Sequence, residues 1–185
     1  MPSSYTDLGL ELMVTGENSG TWGDKTNTNL QLVQQGFAGY QEVTVNGTGT
    51  TTLAITDGTI SNGRNAVIKF TGSITGNQTV TILDGIEKLY TIINGTVGVF
   101  TVEFKTVSGT GFTFAAADKG TRLAYSDGTN VVDVNSLFTT INALTLPTTT
   151  GSSGDAIVTD GSGVLSFGAA GISTGKAIAM AIVFG

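Results

Sequence analysis

Apolar positions return along this chain in two rhythms, and the change of rhythm divides it. Leu30, Val33, Phe37 and Tyr40 recur at steps of three and four, which stacks them on one stripe of a helix with Gln31, Gln34, Gln35 and Gln41 outside it. Asp, Thr and Asn crowd Asp24 to Asn29, where short polar side chains accept from the free N–H groups of a first helical turn, so the helix is expected to start there. Gly36 and Gly39 weaken it and mark its close. Two readings of the stripe stand: a short amphipathic helix lying on its own domain, or a heptad-like seam shared between identical chains. Ahead of the helix, Leu8, Leu10, Leu12 and Val14 alternate, which predicts an extended arm. Such an arm either docks on another protein or forms an edge strand of its own sheet.

From Glu42 to about Asn135 the rhythm shortens to two. Runs rich in Val, Ile, Thr, Phe and Tyr fall at Glu42–Asn46, Thr51–Thr56, Ala66–Thr71, Gln78–Leu83, Lys88–Asn94, Val99–Lys105, Gly111–Ala115, Thr121–Ser126 and Asn130–Val134. In Val99–Phe104, Phe100, Val102 and Phe104 make one apolar face against Val99, Thr101 and Glu103. Lys88–Ile93 is nearly continuous, as expected of a strand covered on both sides. The dipeptides Asn46-Gly47, Asp57-Gly58, Asp84-Gly85, Asn94-Gly95 and Asp127-Gly128 supply the positive φ of hairpin turns. The pattern predicts a mainly β fold, a small antiparallel β-sandwich or jelly-roll-like body with a short N-terminal helix.

Past Val134 the pattern loosens. Asn135-Ser136 can cap a helical turn carrying Leu137, Phe138 and Ile141. Ala156–Thr159 and Val164–Phe167 read as two strands joined by Asp160-Gly161-Ser162-Gly163, a hairpin that is marginal alone and gains by pairing with copies of itself. In the last stretch Ile178, Met180, Ile182 and Phe184 alternate with Ala177, Ala179, Ala181 and Val183, giving a strand with one large-residue face and one small-residue face. The reading favoured is burial between chains or against a partner, ahead of a central strand of the chain's own sheet. The expected segments are an arm and helix over 1–41, a β body over 42–135, and an intertwined linker, hairpin and strand for oligomerisation over 136–185.

Composition sharpens this picture. Only 12% of the residues are charged and 27 are glycine, so the surface carries little charge to hold chains apart. The net charge is −6 and the eight basic residues are scattered singly, leaving nothing to neutralise a phosphate backbone, so no nucleic-acid partner is expected. Cysteine is absent, which removes disulfides and thiolate metal sites, and so is histidine, the commonest general base and transition-metal ligand. The N-terminus has no basic and apolar signal pattern, which implies a cytoplasmically made product, and the apolar run Ala177–Phe184 is far short of the roughly 20 residues that cross a bilayer.

Candidate chemistry fails at each point where it suggests itself. Gly171–Lys176 has three residues between its glycines where a phosphate loop has four, and Ala177 stands where a magnesium-binding hydroxyl belongs. No stretch gathers carboxylates at the spacing of a calcium loop, and the Asn-x-Thr sequons at Asn46, Asn77 and Asn94 are coincidences of a threonine-rich chain. A serine nucleophile has no histidine to activate it, and paired carboxylates for glycan hydrolysis sit mostly in Asp-Gly turns. Tyr90, Phe112 and Tyr125 could stack on a sugar ring, though each reads better as core. No catalytic residue, metal ligand or cofactor is expected.

The run Thr15–Leu30, TGENSGTWGDKTNTNL, with YTDLGLELM before it and GYQEVTVNGTGTTTLAITDG after it, resembles the N-terminal region of virion fibre and appendage proteins of marine tailed bacteriophages. The segment Leu146–Gly168, LPTTTGSSGDAIVTDGSGVLSFG, resembles a spacer repeated along phage tail-fibre shafts. Together the two blocks cover about Tyr5–Asp57 and Leu146–Gly168. The resemblance implies a virion structural protein, commonly a trimer, made in the host cytoplasm and docked through its N-terminal region, with Thr21, Trp22, Gly23, Asp24, Thr26, Asn27, Asn29 and Leu30 in the docking role. The oligomer seam is expected at Leu30, Val33, Phe37, Tyr40, Ile178, Met180, Ile182 and Phe184. Partners implied are further copies, tail, adaptor or capsid proteins, and a host surface glycan. The rival readings are a capsid decoration protein, a glycan-binding module and a depolymerase.

Overall fold

The computed structural model describes residues 3–134, 140–141, 144–147 and 149–169, in two compact units, 1–135 and 136–185. The first begins with an antiparallel pair, β1 (Ser4–Tyr5) and β2 (Glu11–Leu12), closed by a turn in which the Gly9 amide donates to the Thr6 carbonyl at 2.7 Å. The arm pairs with itself and adds no strand to the main sheets. The helix α1 spans Trp22–Ala38, with Thr21 at its cap, and so starts slightly ahead of the expected stretch. Gly39 ends it: a Cβ there would collide with the Gln35 carbonyl and the Asn65 side chain, and the chain leaves in an extended conformation. Tyr40 lies beyond the helix, as the first residue of a strand.

The strands that follow are β3 (Tyr40–Thr44), β4 (Gly47–Thr52), β5 (Val67–Thr71), β6 (Ile74–Ile82), β7 (Glu87–Asn94), β8 (Val102–Thr106), β9 (Gly111–Phe114), β10 (Thr121–Asp127) and β11 (Val131–Asp133). Each of the nine expected runs overlaps one of these strands, but Thr51–Thr56 shares only Thr51 and Thr52 with β4, and β6 begins four residues ahead of Gln78. One sheet has the order β11-β10-β7-β5-β3 and the other β4-β6-β8-β9. From β3 to β8 the chain alternates between the sheets, and neighbours in this part pair parallel: β3 with β5, β5 with β7, β4 with β6, β6 with β8. Each circuit therefore lays one strand in each sheet, and the next circuit stacks on it, which is the construction of a short β-solenoid. Val43 pairs with Phe70, and Phe70 with Asn94, a repeat of about 24 to 27 residues. Only β9, β10 and β11 return antiparallel among these strands.

The fold is mainly β, as the pattern predicts, but its pairing is not that of an antiparallel sandwich or jelly roll. The reason lies in the corners. Asn46-Gly47 does not close a hairpin; it carries the chain from one sheet to the other, with Gly47 at φ +69° and the Asn46 carbonyl-amide oxygen accepting from the Ser73 amide at 3.0 Å. The next circuit turns at Gly72, φ +102°, where a Cβ would lie 2.7 Å from the Val45 carbonyl stacked above it. A positive φ is needed in either kind of turn, so the dipeptide alone does not distinguish them. Asp127-Gly128 does join an antiparallel pair, β10 and β11.

Between the sheets Phe104 sits at the centre of an aromatic cluster, with ring centroids of Phe70, Tyr90 and Phe112 at 5.9, 5.7 and 5.9 Å, spacings at which tilted and edge-on rings attract. Val102 and Phe104 are fully buried and Phe100 packs against the core, as their alternation predicts. In β7 the expectation of two covered faces fails: Tyr90 and Ile92 are buried, whereas Leu89 is 59% exposed.

In the second unit β12 (Thr140–Ile141) pairs antiparallel with β13 (Leu144–Thr145), and β14 (Asp155–Thr159) with β15 (Leu165–Ala169). The last two are the expected hairpin. Asp160 organises its turn by accepting from the Ser162 amide at 2.7 Å and the Val164 amide at 3.0 Å. Of the helical turn expected near Leu137, the described part, Thr140–Ile141, is strand; Leu137 and Phe138 lie outside the described residues, as do Ile178, Met180, Ile182 and Phe184.

Candidate interface

The helix α1 faces its own body with its polar side. Lys25 reaches Glu11 at 3.0 Å, and Asn29 accepts from the Glu11 amide and donates to the Glu11 carbonyl, both at 2.9 Å, as a strand neighbour would. Gln35 accepts from Arg64 Nη1 at 2.9 Å. Leu32 is the one buried apolar side chain of the helix. The Ser3 hydroxyl and the Lys25 ammonium hold the Glu11 carboxyl below its ordinary range, in that order of importance.

Arg64 explains this choice of face. Its guanidinium is fully buried and must find oxygen atoms: Nε donates to the Leu8 carbonyl at 2.6 Å, Nη1 to Gln35 Oε1 and to the Thr59 carbonyl at 2.8 Å, and Nη2 to the Thr56 carbonyl at 2.8 Å. Burial lowers its pKa, against the pull of the nearby Asp57 carboxylate. One side chain thus ties together the arm, α1 and the loop between β4 and β5. Beside it Lys88 donates to the Arg64 and Asn65 carbonyls at 2.7 and 2.9 Å, with its ammonium 4.1 Å from the centre of the Tyr90 ring. Burial, helped by the Arg64 charge, brings the Lys88 pKa down to about 8.

The apolar stripe is consequently left to solvent. Trp22, Leu30, Val33 and Phe37 fall within ~80° of the helix circumference at 3.6 residues per turn, and all four are exposed, Leu30 at 61% and Phe37 at 88%. Tyr40 continues the exposed line into β3. Of the two readings of this stripe, a helix laying it on its own domain is not what forms. Between the stripe and the sheet runs an apolar groove of about 400 Å³, floored by Leu8, Leu10 and Leu32 and walled by Val33, Phe37 and Leu89. The alternating leucines of the arm thus divide, Leu8 and Leu10 lining the groove while Leu12 and Val14 are exposed.

The residues assigned to docking share the cap and first turns of α1 but not one face. Trp22, Thr26 and Leu30 lie along the stripe; Thr21, Asp24 and Asn27 are exposed elsewhere, Gly23 is half-buried, and Asn29 is turned inward onto Glu11. Arg64 and Leu89 are not found from the sequence: Arg64 is one of eight basic residues scattered singly, with nothing to single it out, and Leu89 lies in a run expected to be covered on both sides. Among the described residues no group of three or more acidic side chains is placed to hold a metal ion, and no helix is long and apolar enough to cross a membrane. What the arrangement offers is apolar surface to be covered.

No family model, no curated protein and no solved structure matches this chain.

Proposed function

We propose that this chain is a structural component of a bacteriophage particle, a fibre-like appendage or adaptor that works as a homo-oligomer, with a trimer favoured. Its task is attachment: the N-terminal segment holds it to another virion protein, and the assembled body contributes to host adsorption. One observation carries the reading. The helix spends its polar face on its own body and points Leu30, Val33 and Phe37 outward, an arrangement that gains nothing for an isolated chain. The hairpin of the second unit adds to it, since Ile157, Val158 and Phe167 are all exposed on two strands that are marginal in water by themselves. The fibre-like character rests on the resemblance of Thr15–Leu30 and Leu146–Gly168.

The test is the protein content of purified particles of the virus that encodes the chain, by quantitative mass spectrometry. The proposal expects this chain in copy numbers that are multiples of the tail symmetry. Copies matching the capsid lattice would make it a decoration protein instead, and its absence from particles would refute a virion role.

A further inference from the structure

The outer faces of the two sheets differ in chemistry. On the four-stranded sheet, cross-strand rows run Thr50, Thr79, Glu103, Thr113 and Thr52, Thr81, Lys105, hydroxyl-rich and charged, with Thr81 itself buried and bonded to Thr52. The five-stranded sheet shows instead a row of Val132, Tyr125 and Leu89, and a second of Leu123, Thr91, Val67 and Tyr40. Charged rows border these two: Lys69 meets Glu42 at 2.9 Å on one side, and Glu87 pairs with Asp127 on the other. Leu89 belongs both to this apolar face and to the groove wall beside Val33 and Phe37, so sheet face, groove and helix stripe form one continuous surface.

We infer that this surface is the contact between copies of the chain, with Phe37 of one copy seated in the groove of the next against Leu89. The inference rests on the homo-oligomeric reading above and names the surface that carries it. Two observations select a second copy as the occupant. The first is area: with apolar and aromatic side chains of this size, the stripe and the two rows leave on the order of 800 Å² exposed, the share one partner brings to a stable interface. The second is charge. Every copy carries −6, so copies meet most easily where charge is sparse: Thr26 to Gln41 has no charged residue, and Lys88 at the groove is already tied to the Arg64 and Asn65 carbonyls. The face also holds its own complement, a protruding phenylalanine and a hollow of about 400 Å³ that admits it.

The absence of cysteine makes a direct test clean. The single variants Gln34→Cys and Glu87→Cys, which flank Phe37 and Leu89 and leave both in place, are purified separately, mixed and treated with a short bismaleimide, and sedimentation velocity gives the mass of a Leu89→Gln/Tyr125→Gln variant. All of these positions are exposed, and circular dichroism melting checks that each variant keeps its fold. The inference expects a cross-linked dimer in the mixture and at least a tenfold weaker association of the double variant. A wild-type oligomer whose mixture does not cross-link, or whose double variant associates undiminished, overturns the inference and leaves the homo-oligomeric reading standing. A wild-type chain that is monomeric at micromolar concentration overturns both.

Discussion

Arg64 is an arginine used as a core residue. Its partners are the Thr56 and Thr59 carbonyls from its own loop, and the Leu8 carbonyl and Gln35 side chain from far away in sequence, so nothing beside it announces the role. Replacing it by methionine removes the hydrogen bonds to Leu8, Gln35, Thr56 and Thr59, and each hydrogen bond to a charged group contributes about 1.5–3 kcal/mol at most. Arg64→Met is expected to destabilise the first unit by about 3–5 kcal/mol in urea unfolding and to expose the arm to proteolysis before the strands. Lys88 gives a pH signature. Its folded pKa lies below the ordinary value of 10.5, so between about 8 and 10.5 the unfolded chain binds more protons, and stability rises as pH rises through that window. A melting series from pH 7 to 10.5 should show this rise in the wild type and lose that component in Lys88→Met.

At the scale of elements, much was legible. The two-residue alternation of Val99–Phe104 assigned the buried face of β8 because one side of its sheet packs on the core, and Asp160-Gly161 marked the hairpin because an Asp side chain caps that turn locally. The partner of each strand was not legible, since Asn46-Gly47 serves a corner as well as a hairpin. The stacking repeat that separates Val43, Phe70 and Asn94 was the available signal, and it varies in length too much to stand out by eye. The stripe on α1 was legible as a stripe; which way it faced depended on Arg64. That orientation makes a paired prediction. Leu32→Ala should cost about 2–5 kcal/mol as a buried leucine does, whereas Phe37→Gln should change the stability of the isolated fold by less than about 0.5 kcal/mol, both read from chemical denaturation in dilute solution.

The first unit as a whole is a small solenoid closed by antiparallel strands, with its aromatic cluster spanning both sheets. Phe104 touches rings contributed from either side, so truncating it removes contacts across the layer. Phe104→Ala is expected to lower stability by about 3–5 kcal/mol in equilibrium unfolding. The same unit is polar on one outer face and apolar on the other, continuous with an outward-turned helix stripe, and the proposed function depends on that asymmetry being used. The most direct measurement is the light-scattering mass of the full chain at micromolar concentration, beside Phe37→Gln. The account predicts a mass that is a whole multiple of 18.9 kDa, with three copies favoured, falling toward one copy in the variant. A wild-type chain that stays at 18.9 kDa would contradict it.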